Sequence, residues 1–169
     1  MKKTAALLGL ALCLCHCGYH LRGTGSSLPS YIRTVCIPMF KNQTTRFELD
    51  RKLTQGVIDE LVTRGKVEIT EEAEGADALM IGEILNFKAT PIGFTGQATA
   101  DRYSITIVTK ITLRDQVNNR IIFSNPNYIY QGEYEVEEGT DFESVETEAI
   151  DSIVQEFAQS VVSTILEGF

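Results

Sequence analysis

Between Arg102 and Arg114 the side chains alternate in character. Tyr103, Ile105, Ile107, Ile111 and Leu113 stand at odd positions, and Arg102, Ser104, Thr106, Lys110, Thr112 and Arg114 at even ones, with Val108 the exception. A period of two is the pattern of a strand buried on one face and wet on the other. The chain must therefore build a sheet that covers a core on one side only. At roughly 3.3 Å per residue this strand runs about 40 Å, long enough that a bend or bulge is expected in it. Asp115 to Arg120, with Asn118-Asn119, reads as a hairpin turn. Ile121 to Tyr134 reads as the return strand, interrupted at Asn125-Pro126.

The sheet needs a cover, and two helical stripes supply it. Leu49, Leu53, Val57 and Leu61 recur at helical spacing, with Ile58 and Val62 widening the stripe. Thr45-Arg46-Phe47-Glu48 ahead of them reads as a capping box, and Gly65 as a left-handed cap behind. A second box, Thr140-Asp141-Phe142-Glu143, precedes Ile150, Ile153, Val154, Phe157, Val161, Ile165 and Leu166. Arg33 to Pro38 is a short strand and Ala78 to Pro91 a longer one, while Val67 to Thr70 is a weak extended piece. The predicted order is β-α-β-β-β-α. The expected fold is α+β, a two-layer sandwich: a four-stranded sheet with both helices packed on one face. The other face is expected to stay polar.

The first residues belong to a different class. Lys2 and Lys3 precede an apolar run from Ala5 to Leu14. That run falls well short of the roughly 20 residues a membrane-spanning helix needs, so it reads as an export signal. Cys13, Cys15 and Cys17 crowd its end, where a bacterial lipoprotein signal places the cysteine that receives lipid. Cys17, followed by Gly18 and a polar chain, is the best lipidation candidate, although His16 stands where a small residue is usual. The absence of Asp after Cys17 favours the outer membrane over the inner. The expected organisation is a lipoprotein signal peptide over 1–16, a lipidated tether over 17–31 and one α+β domain over 32–169. Cys36 then remains as a single thiol inside an apolar strand, which points to burial rather than catalysis.

Charge excludes some partners and suggests others. The whole chain carries 15 basic and 23 acidic residues, a formal charge of −8, which argues against nucleic acid. From Glu133 to Phe169 there are eleven acidic residues and no basic one. The wet face of the sheet instead carries Arg102, Lys110 and Arg114 on one strand, with Lys88 beside them. Such a face could hold phosphates, or simply keep the sheet soluble and guarded against edge association. No dinucleotide fingerprint, phosphate loop, zinc-protease helix or paired CxxC occurs. The leader cysteines mimic metal spacing but lie in the signal, so no metal or other cofactor is expected. Without a nucleophile elbow or a marked carboxylate pair, an enzyme is not expected either.

Several segments, in order, resemble the LptE family of lipopolysaccharide-assembly lipoproteins. They are Cys17-Gly18-Tyr19-His20-Leu21-Arg22, Leu28-Pro29, Val35-Cys36-Ile37-Pro38, Phe40 with Asn42 and Thr44, the helix that follows, and Tyr134-Glu135-Val136 before an acidic terminal helix. The resemblance implies a two-helix, four-strand domain that plugs the outer-membrane barrel LptD and helps to assemble it. It also implies support for delivery of lipopolysaccharide to the outer leaflet, with Lys88, Arg102, Lys110 and Arg114 as candidate lipopolysaccharide contacts. A membrane tie through a multiply acylated, palmitate-bearing Cys17 would fit, since one lipid chain binds only marginally. Family members often carry basic residues at the tip between the second and third strands. Here that tip, Ile92 to Ala100, has no Lys or Arg, and Arg102 is the nearest. The run Ile37-Pro38-Met39-Phe40-Lys41-Asn42 also resembles periplasmic lipoprotein activators of peptidoglycan synthases, which usually carry a longer tether than Gly18 to Tyr31.

Overall fold

The computed structural model describes residues 28–65, 67–96, 100–137 and 139–167. The expected signal peptide, Cys17 and the tether as far as residue 27 lie outside the described residues. In chain order the elements are β1 (Thr34–Cys36), β2 (Lys41–Asn42), α1 (Leu49–Gly65), β3 (Glu68–Thr70), β4 (Ala78–Phe94), β5 (Ala100–Asp115), β6 (Arg120–Glu135) and α2 (Phe142–Glu167). The α+β class is as expected.

The sheet, however, has six strands rather than four, in the order β3-β1-β4-β5-β6, with β2 also paired to β4. The additions, β2 and β3, are two and three residues long. No period of two can be read in so few residues, and their pairing is decided across the sheet. β1 lies between β3 and β4 and is parallel to both, while β2 is parallel to β4 farther along the edge that β1 begins. Between these two edge pieces sits Pro38, which has no N–H to give a ladder.

β4, β5 and β6 form an antiparallel meander of long strands. β5 keeps its period: Ile105, Ile107, Thr109, Ile111 and Leu113 are all buried. The expected irregularity falls in its neighbours. Ile84 pairs with Thr109 but Asn86 pairs with Val108, so Leu85 is an extra residue on β4. One extra residue flips the side-chain parity of everything beyond it. Before the bulge Ala78, Met80, Gly82 and Ile84 are buried; after it Phe87 and Ala89 pack on the core. On β6 the register slips between Tyr128 and Asn125, at the predicted Asn125-Pro126 interruption.

α1 and α2 cover one face of the sheet and run parallel to each other. Their contacts rise together along both helices: Arg46 with Glu146, Lys52 with Asp151, Gly56 with Val154 and Ala158, and Arg64 with Glu167. The predicted stripes are the ones buried, Leu49, Leu53, Val57 and Leu61 on α1 and Ile150 through Leu166 on α2. Val62 is the exception and stays exposed.

The helix ends differ from the motif reading. Glu48 has φ of 59°, and Thr44 and Asn42, not Thr45, hold the turn before α1. At α2 the cap is Asp141, whose carboxylate accepts from the Ser144 N–H at 3.0 Å and its hydroxyl at 2.6 Å. These bonds hold the Asp141 carboxyl below its ordinary pKa. Gly65 is the last residue of α1 itself rather than a left-handed cap after it.

Candidate functional site

The helix-free face of β4, β5 and β6 is the surface with the candidate contacts. Pairing fixes which side chains share it. On β5 these are the even residues, Arg102 to Arg114; the bulge at Leu85 brings Lys88, opposite Thr106, onto the same side. All four candidate basic residues, Lys88, Arg102, Lys110 and Arg114, are therefore on one face, and all are exposed. They are strung out rather than clustered. Arg102 and Arg114 are twelve residues apart, roughly 40 Å along the strand.

Their partners divide them further. Lys110 Nζ lies 2.7 Å from Glu83 Oε1, and that bond lowers the Glu83 pKa. Arg114 donates to the Asn119 side chain in the β5–β6 turn. Lys88 and Arg102 have no ion-pair partner among the described residues. The two uncommitted charges thus sit toward the β4–β5 hairpin tip, and the two committed ones toward the β5–β6 turn.

The face is mixed rather than uniformly polar. Asn86, Val108 and Ile129 form one row across the three strands, and Lys88, Thr106 and Gln131 the next, where Gln131 Nε2 donates to Thr106 Oγ1 at 3.2 Å. Ile81, Ile121 and Ile129 are exposed on it. Near the hairpin tip a cavity of about 580 Å³ lies beside Asp101, Arg102, Tyr103, Glu135 and Val136. Tyr103 stacks on Tyr134 there with ring centroids 5.3 Å apart. Burial, with Glu146 nearby, pushes the Tyr134 hydroxyl up to about 12.

The acidity of the terminal helix acquires partners in three dimensions. Glu146 pairs with Arg46 at 2.8 Å, Asp151 with Lys52, and Glu167 with Arg64 at 3.9 Å. Part of the acidic excess of α2 is thus matched by the basic residues of α1, although each partly exposed pair contributes only about 0–1 kcal/mol.

Two carboxylates have roles that spacing does not signal. Asp77 accepts the backbone N–H groups of Arg33 and Thr34, at 2.8 and 2.9 Å, and these bonds lower its pKa. Asp115, with its side chain fully buried, accepts from the Tyr31 hydroxyl at 2.6 Å, Arg120 Nε at 3.1 Å and the Asn118 backbone and side chain. Burial opposes ionisation of Asp115, yet these donors outweigh it and hold the carboxyl far below its ordinary range. Tyr31 and Asp115 are 84 residues apart, so no local motif could announce the contact. Leu28 and Ile32 are buried on either side of Tyr31, so residues 28–31, read as the end of the tether, pack on the domain.

Cys36 is buried, as expected, and its thiol donates to the Glu71 carbonyl at 3.6 Å. Among the described residues no group of three or more His, Cys, Asp or Glu could hold a metal, and no helix is long and apolar enough to cross a membrane.

A family model described as "LptE: Lipopolysaccharide-assembly" matches residues 32–165. No curated protein sequence matches the chain. Among solved structures, the chain is similar to the hypothetical protein CT253 from Chlamydia trachomatis, at 11% identity and a TM-score of 0.54, covering 79% of this chain and 97% of that one. A minor lipoprotein from Acinetobacter baumannii is similar at 12% identity and a TM-score of 0.52, with 81% and 92% covered. The rare lipoprotein B from Shewanella oneidensis is similar at 12% identity and a TM-score of 0.50, with 80% and 92% covered. At such identities the likeness is one of fold.

Proposed function

The chain belongs to the LptE family of lipopolysaccharide assembly, and from that membership we propose that it is an outer-membrane lipoprotein, acylated at Cys17, that plugs the lumen of the LptD β-barrel. In this role it helps the barrel to assemble and supports lipopolysaccharide transport to the outer leaflet, by binding and without a reaction of its own. The observation that carries the reading is the family match, which runs from Ile32 to Ile165 and so takes in every strand and both helices.

The surface suits the task. Barrel lumens are polar, and the helix-free face offers Glu83, Lys88, Arg102, Lys110 and Arg114 among hydroxyls and amides. An anionic lipid headgroup passing that face would meet Lys88 and Arg102 first, because Lys110 already faces Glu83 and Arg114 already faces Asn119. Within the candidate set, Lys88 and Arg102 are therefore the primary lipopolysaccharide contacts and Lys110 and Arg114 the secondary ones.

Affinity capture of the full chain from outer membranes tests the plug. Recovery of a large β-barrel is the expected result, and recovery of a peptidoglycan synthase alone would overturn the proposal. Lys88→Glu with Arg102→Glu should weaken lipopolysaccharide binding more than Lys110→Glu with Arg114→Glu. Equal binding by both pairs and by the unsubstituted protein would remove all four residues from the site.

A further inference from the structure

Tyr31, Asp115 and Arg120 join the first described segment of the chain to one end of the sheet. Asp115 is the last residue of β5 and Arg120 the first of β6. The Tyr31 hydroxyl donates to Asp115 Oδ2 at 2.6 Å and accepts from Arg120 Nη2 at 3.0 Å, while Arg120 Nε donates to the same carboxylate. Leu28 and Ile32 are buried beside this triad, and the Ile32 N–H donates to the Pro29 carbonyl at 2.9 Å. The backbone then passes directly to Asp77, which holds the Arg33 and Thr34 N–H groups. The chain is thus fastened at the end that carries the β5–β6 turn. The β4–β5 hairpin, where Phe94 pairs with Ala100, lies at the far end of the meander.

We propose that the Tyr31–Asp115–Arg120 triad is an anchor clasp that orients the domain on the membrane, with the β5–β6 turn near the bilayer and the β4–β5 hairpin remote from it. This rests on the reading of Cys17 as the lipidated residue. The argument is one of reach. Cys17 precedes Leu28 by eleven residues, which extend to at most about 40 Å. β5, with 16 residues, is about 50 Å long. While the clasp holds, the acylated residue cannot reach the hairpin end, so that end cannot rest on the bilayer. With residues 28–32 released, the sixteen steps from Cys17 to Arg33 extend to about 56 Å, and either end can approach. A single buried carboxylate and one tyrosine hydroxyl therefore decide whether the tether defines an orientation.

The test has two arms. Hydrogen exchange needs no membrane: Tyr31→Phe should speed exchange of the Ile32 amide on the order of tenfold and leave those of Ile107 and Ile111 unchanged. Asp115→Asn should act in the same direction, and if it proves too destabilising to study, Tyr31→Phe suffices. For the second arm, the full acylated chain is bound to phosphatidylethanolamine–phosphatidylglycerol vesicles with a dye on Val117→Cys or Phe94→Cys and a quencher on the headgroups. Dye at 117 should be quenched several-fold more than dye at 94, and Tyr31→Phe should bring the two together. Equal quenching at both positions without the Tyr31 substitution would overturn the orientation. Unchanged exchange and unchanged quenching in both clasp variants would overturn the clasp. A chain that fails to float with vesicles would overturn the acylation reading and the orientation together, and the exchange arm would still judge the clasp.

Discussion

Gly82 and Phe40 offer a sharp test of the packing that seats β2 and α1 on the sheet. A Cβ at Gly82 would lie 2.5 Å from Phe40 Cγ and Cδ1 and 2.6 Å from Cδ2. Ordinary carbon contacts are about 3.5–4.0 Å, so a methyl there overlaps three ring atoms by roughly 1 Å. The ring has little room to yield, because Phe40 is 2% exposed and its N–H is held by Thr54 Oγ1 at 2.9 Å. Thr54 is fixed in turn by donating to the Asp50 carbonyl at 2.6 Å inside α1. Overpacking of this severity sits near the upper end of the 1–3 kcal/mol range, about 3 kcal/mol. The loss of glycine freedom in the unfolded chain returns about 0.4–1 kcal/mol. Gly82→Ala should therefore destabilise the domain by about 2 kcal/mol. With a urea slope of about 2 kcal/mol/M the midpoint falls by about 1 M. Phe40→Leu alone should also destabilise, by about 1–2 kcal/mol. In the double variant the new methyl enters space that the ring has left, so the two costs should fall short of additivity by about 1–2 kcal/mol. Equilibrium urea unfolding followed by circular dichroism reads all four proteins. A Gly82→Ala midpoint within about 0.2 M of the unsubstituted protein, or strict additivity in the double variant, would refute this account of the seam.

Gly56 sets the spacing of the two parallel helices, since its Cβ would meet Val154 Cγ1 at 3.1 Å and Ala158 Cβ at 3.4 Å. Gly56→Leu should cost about 2–3 kcal/mol in urea unfolding, whereas Gly56→Ala should be near neutral because about 1 kcal/mol of helix propensity offsets the tight contact. Asp77 has a folded pKa below its ordinary 3.8, so the stability it adds is complete above that value and declines as pH falls through 3.8 toward the folded pKa. Acid-unfolding curves should therefore show Asp77→Asn losing less stability between pH 6 and 3 than the unsubstituted protein, and parallel curves would refute the assignment. Burial and the 2.6 Å bond to Glu156 push the Tyr130 hydroxyl up to about 12, against an ordinary value of 10. Its contribution is complete below pH 10 and lost as pH rises toward 12; ultraviolet titration should show late-ionising tyrosines, one fewer in Tyr130→Phe.

Much of the framework was legible from periodicity. The alternation over Arg102–Arg114 and the stripes from Leu49 and Ile150 each pointed at a core face, and each is buried as read, apart from Val62. Such patterns survive because burial acts on every residue of a long element in the same sense. The turn at Asn118-Asn119 was readable because it requires a left-handed residue, and Asn119 has φ of 51°. Capping motifs were less dependable. At α1 the Thr45 box gave way to a turn built on Asn42 and Thr44, and at α2 the cap moved to Asp141. Several polar residues near a helix start compete for the same few N–H groups, and position along the chain does not decide among them.

By itself the sequence determined the alternation of β5, the two amphipathic helices, the thiol hidden at Cys36, and a family likeness carried by segments from Cys17 to Val136. These are local properties, set by side-chain period and residue type. Only the tertiary structure decided the rest. The two- and three-residue strands β2 and β3 exist because β4 and β1 offer them edges. The bulge at Leu85 decides which face Lys88 joins. Lys110 is matched and Lys88 is not because Glu83 falls across from one and not the other. Tyr31 meets Asp115 across 84 residues of chain. In each case the partner is set by pairing between strands, and a one-residue slip in that pairing would turn the same side chains to the opposite face.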